Sequence, residues 1–388
     1  MVEKEVSLVD EELEDIVIKS RVQIKEPLVK FFHQITSNTK KLINYQIPSS
    51  GNNLKTWIKS FRGKVISLSM LLVIIIPLLL DDGAYYGIFI VAMIYAIFAA
   101  SWDLLAGVTG QVSFGHSAFF GIGSYAFAYF LIAFQFHWLV AILFSAIITV
   151  VIGLIIAIPA LRLKGPYLAL GTMAFSLFLF YLFQFPELDA ESIDLPLAFK
   201  IFRWTSEVEI FIIVLVFMII SVLIILIVYN SKLGTIFKGI RDDETATEAS
   251  GINTTKYKLY SFMISSFFAG IAGSLYAIHL TNVSFHNYSN LLSFYPVIFT
   301  ILGGIGSISG AVMGAFTFAI LTRVISEGMG FFSLIFPALP PAFTTQIETI
   351  SVFIFAIILI LIIRFTERGV MEPVIRHTKS LWDILLGK

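Results

Sequence analysis

Cysteine is absent from all 388 residues. That excludes disulfides, cysteine-ligated zinc, iron–sulfur clusters and thiol nucleophiles together. Charge is also scarce, at 13% of residues against about 25% in soluble domains. Hydrophobic residues make up 57% and the mean hydropathy is +0.89. A soluble globule of this size needs more polar surface, and a disordered chain is rich in charge rather than poor in it. Catalytic motifs are missing as well. Gly63-Lys64-Val65 lacks the earlier glycine and the hydroxyl of a phosphate loop, so the chain is not expected to bind ATP by itself. No His-Glu-x-x-His occurs, the six histidines are scattered, and no metal site is expected. Gly304-Ile305-Gly306 lies inside an apolar run rather than at a strand–turn–helix, which argues against a dinucleotide site. No nucleic-acid partner and no catalytic activity are expected.

What is present is a succession of long uncharged runs. Residues 104–161 and 259–322 contain no Asp, Glu, Lys or Arg. Each is too long for a single crossing, which takes about 20 apolar residues. The pattern predicts an all-α polytopic membrane bundle of about ten hydrophobic segments. They lie near 65–80, 84–105, 117–135, 138–161, 166–184, 210–229, 259–280, 292–305, 309–326 and 348–364. The eighth is short and reads as a candidate re-entrant half-helix. A membrane barrel is unlike these runs, which do not alternate.

Lys and Arg favour the cytoplasmic side of a membrane. With ten crossings, 23 of the 26 basic residues fall on one side, and the opposite loop 185–209 is acidic. Both termini are therefore expected in the cytoplasm. Residues 1–62 are mixed in charge and read as a poorly structured or amphipathic cytoplasmic extension that either lies on membrane lipid or is disordered. Residues 63–373 read as the membrane domain and 374–388 as a cytoplasmic tail.

Two glycine-rich stretches interrupt the apolar runs. In the first, 107–125, Gly110, Gln111, Ser113, His116 and Ser117 follow Asp103, the lone acid of its span. In the second, 303–315, Gly304, Gly306 and Ser307 recur in an apolar context. Broken helices in two halves of a chain point to a central translocation site, because irregular backbone at membrane depth is tolerated where it lines a protected path. Close helix packing through small residues is the plain alternative. Asp103 can equally cap a neighbouring helix. Thr172, in the segment after Arg162 and Lys164, is a further candidate for the path.

The longest polar connection is 230–258. Its middle, Ile236 to Ala249, has helical character, with Ile236, Phe237 and Ile240 on one face. Arg241, Asp242, Asp243 and Glu244 cluster beside that face, and Gly251 is a plausible helix stop. A short amphipathic helix with charged flanks suits docking into a groove.

The order of these segments resembles the LivM-type permeases of branched-chain amino acid ABC importers. The matching stretches are 101–128, 161–176, 231–259, 267–277, 301–315 and 364–373. The resemblance implies a transport subunit in the cytoplasmic membrane that pairs with a second, LivH-like permease. Two cytoplasmic ATPase subunits would carry ATP and magnesium, and an external solute-binding protein would deliver substrate. This chain would hold no cofactor. The segment around Glu248, Ala249 and Gly251 looks like the coupling loop of such permeases, so residues 236–251 would dock on an ATPase. Asp103 stands where many members carry Asn, which keeps the urea and short-amide permeases of the same family open as a substrate class. An ion-coupled carrier using Asp103 and a channel or scaffold without energy coupling are the rivals from other classes.

Overall fold

A computed structural model describes residues 83–163, 165–185, 192–195 and 207–335, with residues 357, 360 and 361. The first and tenth predicted segments lie outside the described residues, except for three helical positions in the tenth. So do the extension 1–62 and the tail 374–388.

Helix α1 (Gly83–Asp103) runs straight into a π-helical turn, Leu104–Val108. Helices α2 (His116–Ala133), α3 (Trp138–Ala160) and α4 (Pro166–Leu182) follow. After strand β1 (Ser192–Asp194) come α5 (Glu207–Asn230), α6 (Lys232–Asp242), α7 (Glu244–Ala249) and α8 (Thr254–Leu280). Strand β2 (Asn282–Ser284), a 3-10 turn (Phe285–Tyr288), α9 (Asn290–Gly303) and α10 (Ile308–Ile335) complete the described order. Strands β1 and β2 pair antiparallel, with Ile193 opposite Val283.

Six of these helices are long and apolar enough to cross a membrane: α1 with its π turn, α2, α3, α5, α8 and the Ile308–Ile325 part of α10. Helices α4 and α9 are apolar but shorter. The protein is thus an all-α, multi-pass membrane protein, and eight of the ten predicted segments appear as helices in their expected places.

Burial separates a centre from a periphery. Helices α1 and α8 are buried over most of their length, and α8 packs on α1, α2 and α3. Helices α3 and α5 expose apolar faces such as Leu143, Ile147 and Ile155, or Ile212, Val216 and Ile220. Water would not tolerate such faces in this number, whereas lipid matches them. The central packing depends on small residues. A Cβ on Gly123 would stand 2.3 Å from the Gly270 carbonyl oxygen of α8, and one on Gly273 would stand 2.0 Å from that of Phe120. Serines complete the seam: Ser145 and Ser274 are 2.7 Å apart, and Ser265 donates to the Ser101 carbonyl at 2.7 Å.

The connection 231–253 differs from its sequence reading. The helix starts at Lys232, four residues before the predicted start, because the Ser231 side chain accepts from the Leu233 N–H. It breaks at Asp243, whose backbone is extended at φ −158° and ψ 105°. The Asp243 carboxylate then caps α7 by accepting from the Ala246 N–H at 3.0 Å. Gly251 follows the second helix at φ +84°, a left-handed position that glycine adopts without penalty.

Candidate functional site

The two glycine-rich stretches meet at the end of the bundle that carries α6 and α7. Helix α1 does not stop at Asp103. It widens into the π turn, and the chain then leaves the helix at Gly110, φ +77°. Gly304 at φ +106° ends α9, and Gly306 at φ +78° turns the chain into α10. The Asp103 Oδ1 accepts from the Gly306 N–H at 2.7 Å. The Arg241 Nη1 donates to the Gly107 carbonyl at 2.9 Å, while Nε and Nη2 both hold the Asp242 Oδ1 at 3.1 Å. Asp103 is wholly buried, and its Oδ2 has no partner among the described residues. Asp103 therefore tethers one break to the other.

Gly303, Gly310 and Gly314 serve packing. A Cβ on Gly303 would overlap the Gly310 carbonyl, and one on Gly314 would overlap that of Phe299. The small-residue reading of this stretch thus describes the seam between α9 and α10. Ser307 accepts from the Gly310 N–H at 3.3 Å, which places it at the start of α10.

A second polar cluster lies deeper. Ser265 sits about 16 Å along α8 at 1.5 Å per residue, and through Ser101 it marks the level of His116. His116 Nε2 lies 3.0 Å from the Ser101 Oγ. That hydroxyl gives its hydrogen to the Phe98 carbonyl, so the ring proton belongs on Nε2. Helix α2 thus begins inside the bundle, and so does α9. The Ser117 N–H donates to the Ser293 Oγ at 3.0 Å, and the two hydroxyls are 2.6 Å apart. Ser176 of α4 joins them at 3.1 Å from the Ser117 Oγ and donates to Asn290 at 3.2 Å. Two helix N-termini, each with the partial positive charge of its dipole, therefore approach each other inside the bundle. Thr172 is adjacent: it accepts from the Phe114 N–H at 3.2 Å and donates to the Ala169 carbonyl.

The predicted path residues divide between these places. Asp103 and Gly306 belong to the junction, while Gly110 and Gln111 face a cavity of about 740 Å³ beside α6, lined also by Thr109, Pro166, Arg241 and Lys258. His116, Ser117 and Thr172 belong to the deeper cluster. Ser113 lies between, with its carbonyl accepting from the Trp102 indole at 2.7 Å. Sequence reasoning did not single out Ser101, Ser176, Asn290 or Ser293. Lone polar side chains on otherwise apolar helices were the available signal.

The loop candidates also separate. Phe237 is fully buried and Ile240 nearly so, and Phe237 packs into the bundle's own core. The apolar ridge expected to face a partner is used internally. Arg241, Asp242, Asp243, Glu248, Ala249 and Gly251 remain exposed. Glu244 is tied back to α8: Lys258 Nζ stands 2.6 Å from its Oε1, and Thr254 donates to Glu248 at 2.5 Å. Among the described residues no cluster of His, Asp and Glu is placed to hold a metal.

Known proteins are similar to this chain in sequence. A relative named high-affinity branched-chain amino acid transport system permease protein LivM, from Salmonella typhimurium, is 24% identical over 66% of this chain and 66% of its own length. The protein of the same name in Escherichia coli is 22% identical over 61% of this chain and 62% of its own. A probable LivM permease of Methanocaldococcus jannaschii is 26% identical over 47% and 54%. The matched region thus spans between about half and just under two thirds of these relatives. No solved structure matches the chain at a significant level. Residues 84–363, well over half of the sequence, match the family described as the permease component of the branched-chain amino acid transport system, and the chain belongs to that family.

Proposed function

We propose that this chain is the membrane subunit of an ATP-driven importer for branched-chain amino acids. It would work with a second related permease, two cytoplasmic ATPases and an external binding protein. The observation that carries the reading is that the loop α6–α7 bonds to the first chain break, Arg241 to the Gly107 carbonyl, and that this break is tied to the second by the Asp103–Gly306 bond. A loop needed only to join two spans has no reason to hold the point where two interrupted helices meet. With the basic residues on the cytoplasmic side, the exposed face of Arg241, Asp242, Asp243, Glu248 and Ala249 lies where an ATPase would dock.

The deeper cluster supplies the chemistry of the path. Amide N–H groups at the starts of α2 and α9 and the hydroxyls of Ser117, Ser176 and Ser293 suit the carboxylate of an amino acid. In this conformation the Ser117 N–H and the three hydroxyls bond to one another, and Ser289 caps the Leu292 N–H, so the cluster is shut. Opening it would expose donors to a passing substrate while the apolar walls accept a branched side chain.

Reconstitution tests the reading. The chain, co-purified with its permease and ATPase partners, should take up labelled leucine into proteoliposomes only when ATP and binding protein are present. Uptake that survives without the ATPases and collapses with an ion gradient would overturn it. Uptake of urea in preference to leucine would move the substrate assignment to the amide branch.

A further inference from the structure

Arg241 lies in the loop expected to meet an ATPase, yet its guanidinium turns into the bundle. At the end of a helix the last carbonyls lack partners. Here the Gln111 N–H bonds to the Leu105 carbonyl and the Gly110 N–H to that of Ala106. The Gly107 carbonyl is left for Arg241, which reaches it at 2.9 Å. The other two nitrogens grip one oxygen of Asp242, so the fork is held at both ends.

The surroundings leave little slack. A Cβ on Gly107 would stand 2.0 Å from the Asp103 Oδ1 and 2.6 Å from the Gly306 nitrogen. One on Gly306 would stand 3.0 Å from Arg241 Nη1, and one on Gly110 would stand 3.0 Å from Arg241 Cγ. Three glycines from two separate stretches thus make room for one arginine and one aspartate. Behind them Phe237 and Ile240 anchor α6 in the core. Arg241 itself is 41% exposed and forms part of the wall of the 740 Å³ cavity. Its contact can therefore be released without opening the core.

We infer that Arg241 is a positioning residue that latches the coupling loop to the first chain break and, through the Asp103–Gly306 bond, to the second, so that a displacement of the loop moves α1 and the α9–α10 turn together. The inference rests on the importer reading above and adds the residue through which loop motion enters the membrane domain. A plain helix cap would stabilise the end of α1 but would not link ATP use to transport.

The test is the number of leucine molecules imported per ATP hydrolysed, measured in proteoliposomes holding the full complex. The unsubstituted complex is measured first. Absence of ATP-dependent uptake there would sink the importer reading itself, and the latch with it. Where uptake is present, Arg241→Ala should lower the ratio by more than threefold. A ratio within threefold of the unsubstituted complex would overturn the latch, whatever the absolute rates. Should Arg241→Ala fail to assemble, Arg241→Gln, which keeps a shorter neutral donor, is read by the same criterion. Asp103→Ala breaks the next bond in the series, so the double variant with Arg241→Ala should lower the ratio no further than the more severe single one. Multiplying effects would show two independent sites and would also overturn the latch.

Discussion

Asp103 and Gly306 are 203 positions apart in the chain and share a 2.7 Å hydrogen bond, with the carboxylate accepting from the backbone N–H. Around that bond the π turn at the end of α1 and the turn between α9 and α10 are fixed to each other. The bond needs an acceptor oxygen and does not need a charge. The second carboxylate oxygen has no partner among the described residues.

Asp103→Asn should therefore keep function, because an amide oxygen can replace Oδ1. Asp103→Ala should not. Leaving the Gly306 N–H without its acceptor costs about 1–3 kcal/mol, which corresponds to about a fivefold or greater fall in the population of the joined arrangement. Leucine uptake by the two variants is the comparison. Loss of uptake in the Asn variant would instead assign Asp103 a titrating role, as an ion-coupled carrier requires.

Glycine substitutions should separate packing from backbone conformation. At Gly303 a Cβ would meet the Gly310 carbonyl oxygen at 1.7 Å, with backbone on both sides. Gly303→Ala should prevent the α9–α10 seam from closing and abolish recovery of monodisperse protein. At Gly251 nothing stands within 4 Å, and only the positive φ opposes a side chain. Gly251→Ala should cost about 1–2 kcal/mol and leave the protein foldable. Fluorescence-detected size exclusion and thermal unfolding distinguish the two.

The sequence conveyed the helices well and their interactions poorly, for a physical reason. Length and hydropathy decide whether a segment crosses lipid, and both are local properties. The limits of 138–161 and 166–184 were therefore readable within two residues of Trp138–Ala160 and Pro166–Leu182. What a polar group in a span does depends on its partner. Asp103 could not be matched to Gly306 without the fold. Ser293 gave no local sign that it meets Ser117, 176 residues earlier. Phe237 and Ile240 were legible as one helical face, but the sequence could not say whether that face meets this chain or another. The break at Asp243 was hidden because Asp242, Asp243 and Glu244 read as one charged cluster, and which acid caps a helix is decided only where the chain turns.

Burial of the α6 ridge leads to opposite expectations for neighbouring loop residues. Phe237→Ala should destabilise the chain by about 3–5 kcal/mol, as other Phe-to-Ala core truncations do. Ala249 is exposed on α7, so Ala249→Arg should change stability by no more than about 0.5 kcal/mol. It should nevertheless reduce co-purification of the ATPases. Thermal unfolding and pull-down on the same samples provide both measurements. A Phe237→Ala protein of normal stability that fails only in pull-down would return the ridge to a docking role.

The ion pair that ties α7 to α8 should behave as an unequal pair. Lys258 is 8% exposed and Glu244 35%, at 2.6 Å. Removing the lysine with Lys258→Met leaves a carboxylate that water reaches, at a cost of about 1–2 kcal/mol after solvent screening. Removing the acid with Glu244→Gln leaves an ammonium almost without water, in the wall of a second cavity of about 420 Å³ that Arg162 also lines. That should cost more, about 2–4 kcal/mol. The double variant removes both charges and should be more stable than Glu244→Gln alone, with a coupling of about 1 kcal/mol or more. Thermal unfolding in detergent over the four proteins of this cycle measures it. Strict additivity would mean that α7 is held by its Thr254–Glu248 hydrogen bond rather than by charge. The loop would then keep its position after Lys258→Met, and leucine uptake by that variant would match the unsubstituted complex.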